Sequence, residues 1–237
     1  MSVSGRLVII AGATSASGVT AARVLRDAGA RVVAVGRDAG KLRDLLDSLE
    51  TDAAPLGTAP AGSVRTEVCD LADETAVAAL AERVHAEDGP VDGVLHLVGG
   101  WRGGGGLAGQ TDADYRFLEG SLTALRHVSR AFDADLRASR AGRLAVVSST
   151  AVARPLAGGA NYAAVKAATE AWARAVAQGF AKDARDAGRP QAAASVIFRV
   201  KSLDGLEEAL AQRFADLWLA DATEIDDTIV ELTDPSL

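Results

Sequence analysis

Residues 7–19 read LVIIAGATSASGV. The first four residues form a short apolar run, which is typical of a strand buried on both faces of a sheet. Small residues with two glycines follow, and the helical pattern of Val19–Ala28 comes directly after them. Such a turn lets backbone N–H groups approach a pyrophosphate at a helix N-terminus. The alternative is a glycine turn that merely connects two elements. Features elsewhere in the chain must therefore distinguish a phosphate-binding turn from a connecting one.

Strand and helix patterns alternate along the whole chain. After the strand Leu7–Ile10, further strands are predicted at Arg31–Val35, Val64–Val68, Val91–Val98, Arg143–Ser148, Ala192–Phe198 and Thr228–Leu232. Further helices are predicted at Asp38–Glu50, Asp73–Glu87, Asp112–Leu136, Asn161–Ala187 and Asp204–Leu219, with surface loops at Thr51–Ser63 and Gly99–Gly109. The alternation predicts an α/β, doubly wound Rossmann fold with a mainly parallel seven-stranded sheet flanked by helices. No repeat or linker divides the chain, which predicts one domain over residues 1–237.

Composition excludes several kinds of partner. The 237 residues carry a formal charge of −7, and phosphate backbones and anionic membranes need clustered Lys and Arg. The single cysteine, Cys69, and three histidines without zinc-ligand spacing predict no metal site. No signal-peptide pattern precedes the first strand and no apolar stretch is long enough to cross a bilayer, so the expected compartment is the cytoplasm.

The end of the second predicted strand bears on the choice of cofactor. A carboxylate there would accept hydrogen bonds from a ribose 2′-OH and favour NAD. The strand instead ends at Gly36-Arg37, and Asp38 is better explained as the cap of the next helix. The planar guanidinium of Arg37 suits a 2′-phosphate, so the sequence favours NADP(H), with NAD(H) as the alternative. A solvated surface arginine is the other interpretation of Arg37.

Three residues form a catalytic pattern. Ser149 closes the fifth strand, and Tyr162 and Lys166 are four residues apart at the start of the following helix, hence on one helical face. Ligands of doubly wound sheets bind at the carboxyl ends of the strands, where all three residues are predicted. We expect the Lys166 charge to lower the pKa of Tyr162, which then exchanges a proton with a carbonyl or alcohol oxygen. Ser149 would hydrogen-bond that oxygen, and Lys166 would also hold the ribose hydroxyls of the cofactor.

These motifs resemble those of the classical short-chain dehydrogenases/reductases over nearly the whole chain. The family pattern Thr-Gly-x-x-x-Gly-x-Gly corresponds to residues 11–18, and a serine thirteen residues before Tyr-x-x-x-Lys corresponds to Ser149. An Asp after the third strand corresponds to Asp70, and Asn-Asn-Ala-Gly after the fourth strand corresponds to residues 96–99. The resemblance implies a Rossmann fold and hydride transfer between a carbonyl and an alcohol on a small organic substrate.

The resemblance also implies a set of site residues and an assembly. Besides Arg37, Tyr162 and Lys166, the residues implied around the cofactor are Gly12, Thr14, Ser15, Ser17, Gly18, Val19, Asp70, Leu71, Val98 and Gly99. Ser121 stands where the family has a helix asparagine that supports a water in the proton relay, so it joins the expected catalytic set. Members usually form homodimers or homotetramers through the two long helices.

Three departures from the family pattern keep a second hypothesis open. Ala16 replaces the middle glycine of the phosphate turn, and its methyl group would crowd a pyrophosphate. Ser121 replaces the asparagine, and Arg199–Leu203 stands where the family has Pro-Gly, before a short covering segment. The first hypothesis is an NADP(H)-dependent oxidoreductase that interconverts a carbonyl and an alcohol. The alternative is a catalytically weak cofactor-binding, sensor or scaffold protein on the same fold.

Overall fold

A seven-stranded sheet organises the protein, whose computed structural model describes residues 2–51 and 62–233. All strand pairs are parallel, and the spatial order is β3-β2-β1-β4-β5-β6-β7. The strands are β1 (Leu7–Ala11), β2 (Arg31–Gly36), β3 (Ser63–Val68), β4 (Gly93–His96), β5 (Arg143–Ser149), β6 (Ala194–Val200) and β7 (Thr228–Glu231). The predicted doubly wound Rossmann fold with a seven-stranded sheet is confirmed, and the strand order reverses between β1 and β4.

Helices cover both faces of the sheet. They are α1 (Ala16–Asp27), α2 (Ala39–Thr51), α3 (Glu74–Glu87), α4 (Asp112–Ala131), α5 (Asp133–Ala138), α6 (Ala160–Asp186), α7 (Glu207–Asp216) and α8 (Ala222–Ile225). The predicted loop Thr51–Ser63 lies largely outside the described residues, and its two end residues belong to α2 and β3.

The residues of β1 show why its sequence is apolar without alternation. Val8 and Ile10 belong to one buried cluster with α1, α2 and α7, whereas Leu7 and Ile9 belong to a second cluster with α3, α4 and α6. Successive side chains of a strand point to opposite faces, so a strand covered on both sides must be apolar at every position. The continuous apolar run at residues 7–10 therefore identifies β1 as a strand that is covered on both faces of the sheet.

Two glycines hold the β1–α1 turn close to its neighbours. Gly12 has a φ of +91°, and a Cβ there would lie 2.9 Å from the backbone nitrogen of Val98. A Cβ on Gly18 would lie 2.4 Å from the carbonyl oxygen of Ala13. Both positions require glycine, because real Cβ atoms do not approach backbone atoms so closely. The turn therefore packs α1 tightly against β1 and against the segment that follows β4.

The fourth helix differs from its prediction. The single helix expected over Asp112–Leu136 is divided at Phe132, whose φ of −109° and ψ of 9° lie outside the helical range. The Phe132 side chain is fully buried in the cluster beneath α3, and it stacks edge-on against His85. The helical path is thus interrupted at Phe132, whose ring lies in the core, and α5 begins at the next residue.

Candidate active site

The carboxyl ends of four parallel strands meet at one edge of the sheet. Ala11 of β1 pairs with His96 of β4, and Ser149 of β5 pairs with Val200 of β6. Two cavities, of 1090 Å³ and 490 Å³, lie along this edge. Their linings share Ser15 and residues 97–100, so together they form one cleft across the point where the strand order reverses.

The first turn of α1 presents its amide end to this cleft. The Ser15 hydroxyl caps the helix by accepting from the Gly18 amide at 3.1 Å, and it donates to the Gly12 carbonyl at 3.2 Å. Ser15 and Ser17 line the larger cavity, whereas Gly12 and Thr14 line the smaller one. A helix N-terminus favours an anionic group through its dipole and its free amides.

Three residues of this turn stand apart from the cavities. Gly18 and Val19 line neither cavity, and their amides bond to the Ser15 hydroxyl and the Ser15 carbonyl. Ala16, where a methyl group was expected to crowd a pyrophosphate, is exposed on the first turn and also lines neither cavity. Gly18 and Val19 therefore support the turn through packing and helix bonding, because their amides already have partners.

The smaller cavity contains a cluster of cations. Arg37, directly after β2, and Lys41, in the first turn of α2, line it, and Arg116 from α4 joins them. Asp38 between them accepts from the amides of Gly40 and Lys41 at 2.9 and 3.1 Å, as expected for the cap of α2. The sequence argument found Arg37 but missed Lys41 and Arg116, because their nearness to the cleft depends on how α2 and α4 pack.

Further residues expected around the cofactor line the same cavity. Asp70 and Leu71 line the cavity, and Val98 and Gly99 lie where it joins the larger one. The Asp70 carboxylate accepts from the amide of Ala72 at 3.0 Å, which fixes the turn after β3.

Ser149, Tyr162 and Lys166 come together in the larger cavity, as their spacing predicts. The Lys166 Nζ atom donates to the Val147 carbonyl at 2.8 Å and lies 5.8 Å from the centre of the Tyr162 ring. A Cβ on Gly99 would be only 3.7 Å from Nζ, so the ammonium lies against the backbone after β4. The Ser149 hydroxyl accepts from the Ala151 amide at 3.2 Å and interacts with the Tyr162 phenol.

The electrostatics of these residues differ from the sequence expectation. Burial raises the pKa of Tyr162, and the interaction with Ser149 opposes that rise. Burial lowers the pKa of Lys166 to about 8. The expected lowering of the Tyr162 pKa by Lys166 is absent in the chain alone, where Nζ is directed at a carbonyl of β5. Tyr162 is therefore protonated at neutral pH and suited to donating a proton.

Ser121 occupies a different position from the other expected catalytic residues. It lines the smaller cavity, and its hydroxyl donates to the Leu118 carbonyl at 2.7 Å within α4. Its own carbonyl lies 3.1 Å from Nε2 of His96, a buried histidine whose pKa burial and the Lys166 charge lower to about 3. The neutral ring donates from Nε2 to this carbonyl. The Ser121 hydroxyl thus bonds within its own helix, and the contact with His96 of β4 is made by the Ser121 carbonyl.

Gln110 is a site residue that sequence reasoning missed. Its Nε2 atom lies 3.1 Å from the Gly104 carbonyl and 3.0 Å from the Gly158 carbonyl, and its Oε1 atom accepts from the Asn161 amide at 3.1 Å. The Gly104 amide also donates to the Gly158 carbonyl at 2.7 Å. One amide side chain thus joins the glycine-rich loop to the start of α6, one residue before Tyr162.

We expect Gln110→Ala to raise the KM for a carbonyl substrate about 5- to 20-fold, because two to three hydrogen bonds of about 1 kcal/mol each hold the loop at the cavity. The dissociation constant for NADPH should stay within about twofold of the original, since Gln110 lines neither cavity. Steady-state kinetics and fluorescence titration measure the two quantities. Gln212→Ala, at an exposed position of α7, is the control. Equal losses in substrate and NADPH binding would show that Gln110 stabilises the fold as a whole and not specifically the loop at the cavity.

The described part of the chain also bears on metals and membranes. Residues 2–51 and 62–233 contain no group of three or more His, Cys, Asp or Glu side chains placed to hold a metal ion. Among the helices of the same residues, none is long and apolar enough to cross a membrane.

Family and structural comparisons agree with this geometry. A family model described as short chain dehydrogenase matches residues 6–184. A metagenomic short-chain oxidoreductase solved in complex with NADP superimposes with a TM-score of 0.81 at 25% identity, covering 99% of this chain and 100% of that one. The chain belongs to the short-chain dehydrogenase/reductase family.

Two curated relatives are similar over much of this chain but only part of their own. The dehydrogenase/reductase SDR family member 7B of Bos taurus is 32% identical over 170 residues, which cover 72% of this chain and 52% of that protein. The 2,3-dihydro-2,3-dihydroxybenzoate dehydrogenase of Bacillus subtilis is 27% identical over 167 residues, which cover 70% and 60%. The matched regions thus span between about half and three-fifths of these relatives.

Proposed function

We propose that this protein is an NADPH-dependent reductase that converts a carbonyl group of a small organic substrate into an alcohol. The observation that carries the proposal is the continuous cleft, which has Arg37 and Lys41 at one end and Ser149, Tyr162 and Lys166 at the other. A dinucleotide is an extended ligand with an anionic centre, and the N-terminus of α1 lies in the middle of this cleft.

The residues present fit NADP(H). Arg37 and Lys41 would hold the 2′-phosphate, Ser15, Ser17 and the first amides of α1 the pyrophosphate, and Asp70 and Leu71 the adenine. Lys166 would hold the ribose next to the nicotinamide, beside Val98 and Gly99. The metagenomic structural neighbour was solved in complex with NADP, which supports the same choice here. NAD(H) remains the alternative cofactor.

The chain's own residues supply the proton chemistry. When bound, the nicotinamide supplies the hydride that is added to the carbonyl carbon. Tyr162 gives its phenolic proton to the carbonyl oxygen, and Ser149 donates a hydrogen bond to that oxygen as negative charge develops. The raised pKa of Tyr162 keeps this proton in place at neutral pH, as proton donation to a carbonyl requires. Lys166 stabilises the phenolate that forms.

Changing Arg37 tests the cofactor assignment. Arg37→Gln should weaken NADPH binding about 10- to 100-fold, because charge-assisted hydrogen bonds to the 2′-phosphate contribute about 1.5–3 kcal/mol. NADH binding should stay within about twofold, since NADH lacks that phosphate. Calorimetric titration of both cofactors measures the ratio of the NADPH and NADH dissociation constants. Arg43→Gln, at an exposed position of α2, is the matched control. Parallel weakening of NADPH and NADH would overturn the role of Arg37.

Two observations favour the second candidate, a catalytically weak cofactor-binding, sensor or scaffold protein. The Ser121 hydroxyl bonds within α4 and the Ser121 carbonyl bonds to His96, whereas the resemblance implies a side chain at position 121 that supports a water. The cover over the larger cavity is also short, because only residues 201–206 connect β6 to α7. Loss of a measurable reductase activity in Tyr162→Phe would decide against this candidate.

We further propose one domain over residues 1–237 and a cytoplasmic homodimer or homotetramer joined through α4 and α6. The single sheet of all seven strands supports the first point. The direct packing of α4 on α6, with a bond of 2.9 Å from the Trp172 indole to the Ser129 hydroxyl, supports a joint helical surface.

A further inference from the structure

The larger cavity has a charge opposite to that of the whole protein. Acidic residues outnumber Lys and Arg by 32 to 25 in the chain, yet none of the described residues lining this cavity is Asp or Glu. Its lining instead contains Arg154, Lys166 and Lys201. Lys166 belongs to the catalytic group, whereas the other two cations have no place in the reaction described above. A positive cavity in an acidic protein concentrates anionic ligands.

Arg154 and Lys201 flank Ser149 from two strand ends. Arg154 follows the short helical turn Thr150–Val152 after β5, and Lys201 follows Val200, the register partner of Ser149. Neither side chain has an ion pair or hydrogen bond with any residue that the structure describes. Arg199, two residues before Lys201, is by contrast bound to the Glu170 carboxylate at 2.9 Å. The two cations at the cavity are thus free to bind a ligand.

The mouth of the same cavity is apolar. Trp101 is 60% exposed and Leu156 is 71% exposed, and both line the cavity, together with Val200 and Leu203 deeper in. Large apolar side chains gathered at a cavity mouth mark a binding surface for an apolar group. Leu156 is two residues from Arg154, so apolar and cationic surfaces adjoin.

The phosphates of the cofactor do not account for Arg154. The Arg37–Lys41 pair lines only the smaller cavity, the amide end of α1 borders both cavities, and Arg154 lines only the larger one. Arg154 also lies on the segment between Ser149 and Tyr162, which borders the reacting carbonyl. The position of Arg154 therefore favours contact with the substrate. For Lys201, the NADPH affinity of a Lys201 variant distinguishes binding of the substrate from binding of the cofactor.

We propose that the substrate is a keto acid with an apolar body, whose carboxylate is bound by Arg154 and Lys201. The proposal rests on the reductase function above and names its substrate class. The guanidinium of Arg154 matches a carboxylate in a two-point hydrogen bond, and Lys201 adds a point charge. The hydrocarbon or aromatic part of the substrate would lie against Trp101 and Leu156.

The test compares phenyl keto acids, with one to three methylene groups between the ketone and the carboxylate, with their methyl esters. At least one acid should have a kcat/KM about tenfold or more above that of its ester, as expected for a charged hydrogen bond. Arg154→Met and Lys201→Met should each raise the KM of that acid about tenfold, with the ester KM and the NADPH dissociation constant within about twofold. Arg213→Met, at an exposed position of α7, is the control.

A binding measurement separates this proposal from the reductase function. Calorimetry with unreactive 4-phenylbutanoate and its amide should give tighter binding of the acid, lost in Arg154→Met. If that preference appears without turnover of any ketone, carboxylate binding by Arg154 stands, whereas the reductase function fails and with it the keto acid as a substrate. Equal binding of acid and amide, or equal turnover of acids and esters, would overturn the keto-acid proposal while ester reduction still supports the reductase.

Discussion

Tyr162→Phe should reduce the rate of ketone reduction by about 10²–10⁴-fold, the range for loss of a positioned general acid. The phenylalanine ring keeps the packing of the helix start, and only the hydroxyl beside Ser149 disappears. NADPH binding should change little, because the adenosine end of the cleft is formed by other elements. Burial raises the pKa of Tyr162, so the activity that is lost is proton donation to a carbonyl.

Single-turnover oxidation of bound NADPH, followed by absorbance, measures this loss without interference from product release. Tyr115→Phe is the matched control, since it removes the chain's other phenol from α4, away from both cavities. Retention of more than about a tenth of the rate in Tyr162→Phe would contradict general-acid catalysis, which is worth at least about 10². That outcome would favour the weakly catalytic or sensor hypothesis.

Lys166→Met should abolish most activity and yet stabilise the fold by about 1–3 kcal/mol at pH 7. Burial lowers the pKa of Lys166 from 10.5 to about 8, which corresponds to a cost of ~3 kcal/mol for the charged form. The lost bond to the Val147 carbonyl offsets part of the gain. A buried charge that costs stability is expected where function requires it.

The stability gained by Lys166→Met should decrease as the pH rises above 8. Below pH 8 Lys166 is protonated in both the folded and the unfolded chain, so the full cost is present. Between pH 8 and 10.5 Lys166 is deprotonated in the folded chain but still protonated in the unfolded chain, so the original protein becomes more stable as the pH rises. The difference in stability between Lys166→Met and the original protein therefore decreases. Denaturant unfolding at pH 7 and pH 9.5 measures this change. Lys182→Met, exposed on the same helix, is the control, and a loss of stability at pH 7 in Lys166→Met would contradict the argument.

The sequence was sufficient for features that depend on local pattern. The apolar run of β1, the alternation of elements and the i, i+4 spacing of Tyr162 and Lys166 follow from backbone periodicity alone. Parallel topology then places strand ends at one edge, so Ser149 was predictable as their neighbour. Arg37 was predictable because it directly follows a strand.

Other features depend on distances between elements that no local pattern encodes. Gln110 bonds to carbonyls 48 residues away, and nothing in its own surroundings marks it. Arg116 reaches the cofactor cleft only because α4 packs beside the segment after β4. The pKa of Tyr162 depends on burial and on the Ser149 hydroxyl, and the Ser121 hydroxyl bonds within its own helix.

Transfer of deuterium from NADPH that carries two deuterium atoms at C4 of the nicotinamide tests the reductase function most directly. The methyl ester of a phenyl keto acid is the substrate, and mass spectrometry locates the label in the product alcohol. We expect one deuterium on the carbinol carbon with the original protein and with Tyr115→Phe, and little labelled alcohol with Tyr162→Phe. An unlabelled alcohol, or no alcohol from protein shown to be saturated with NADPH, would contradict the function proposed for the Ser149–Tyr162–Lys166 site.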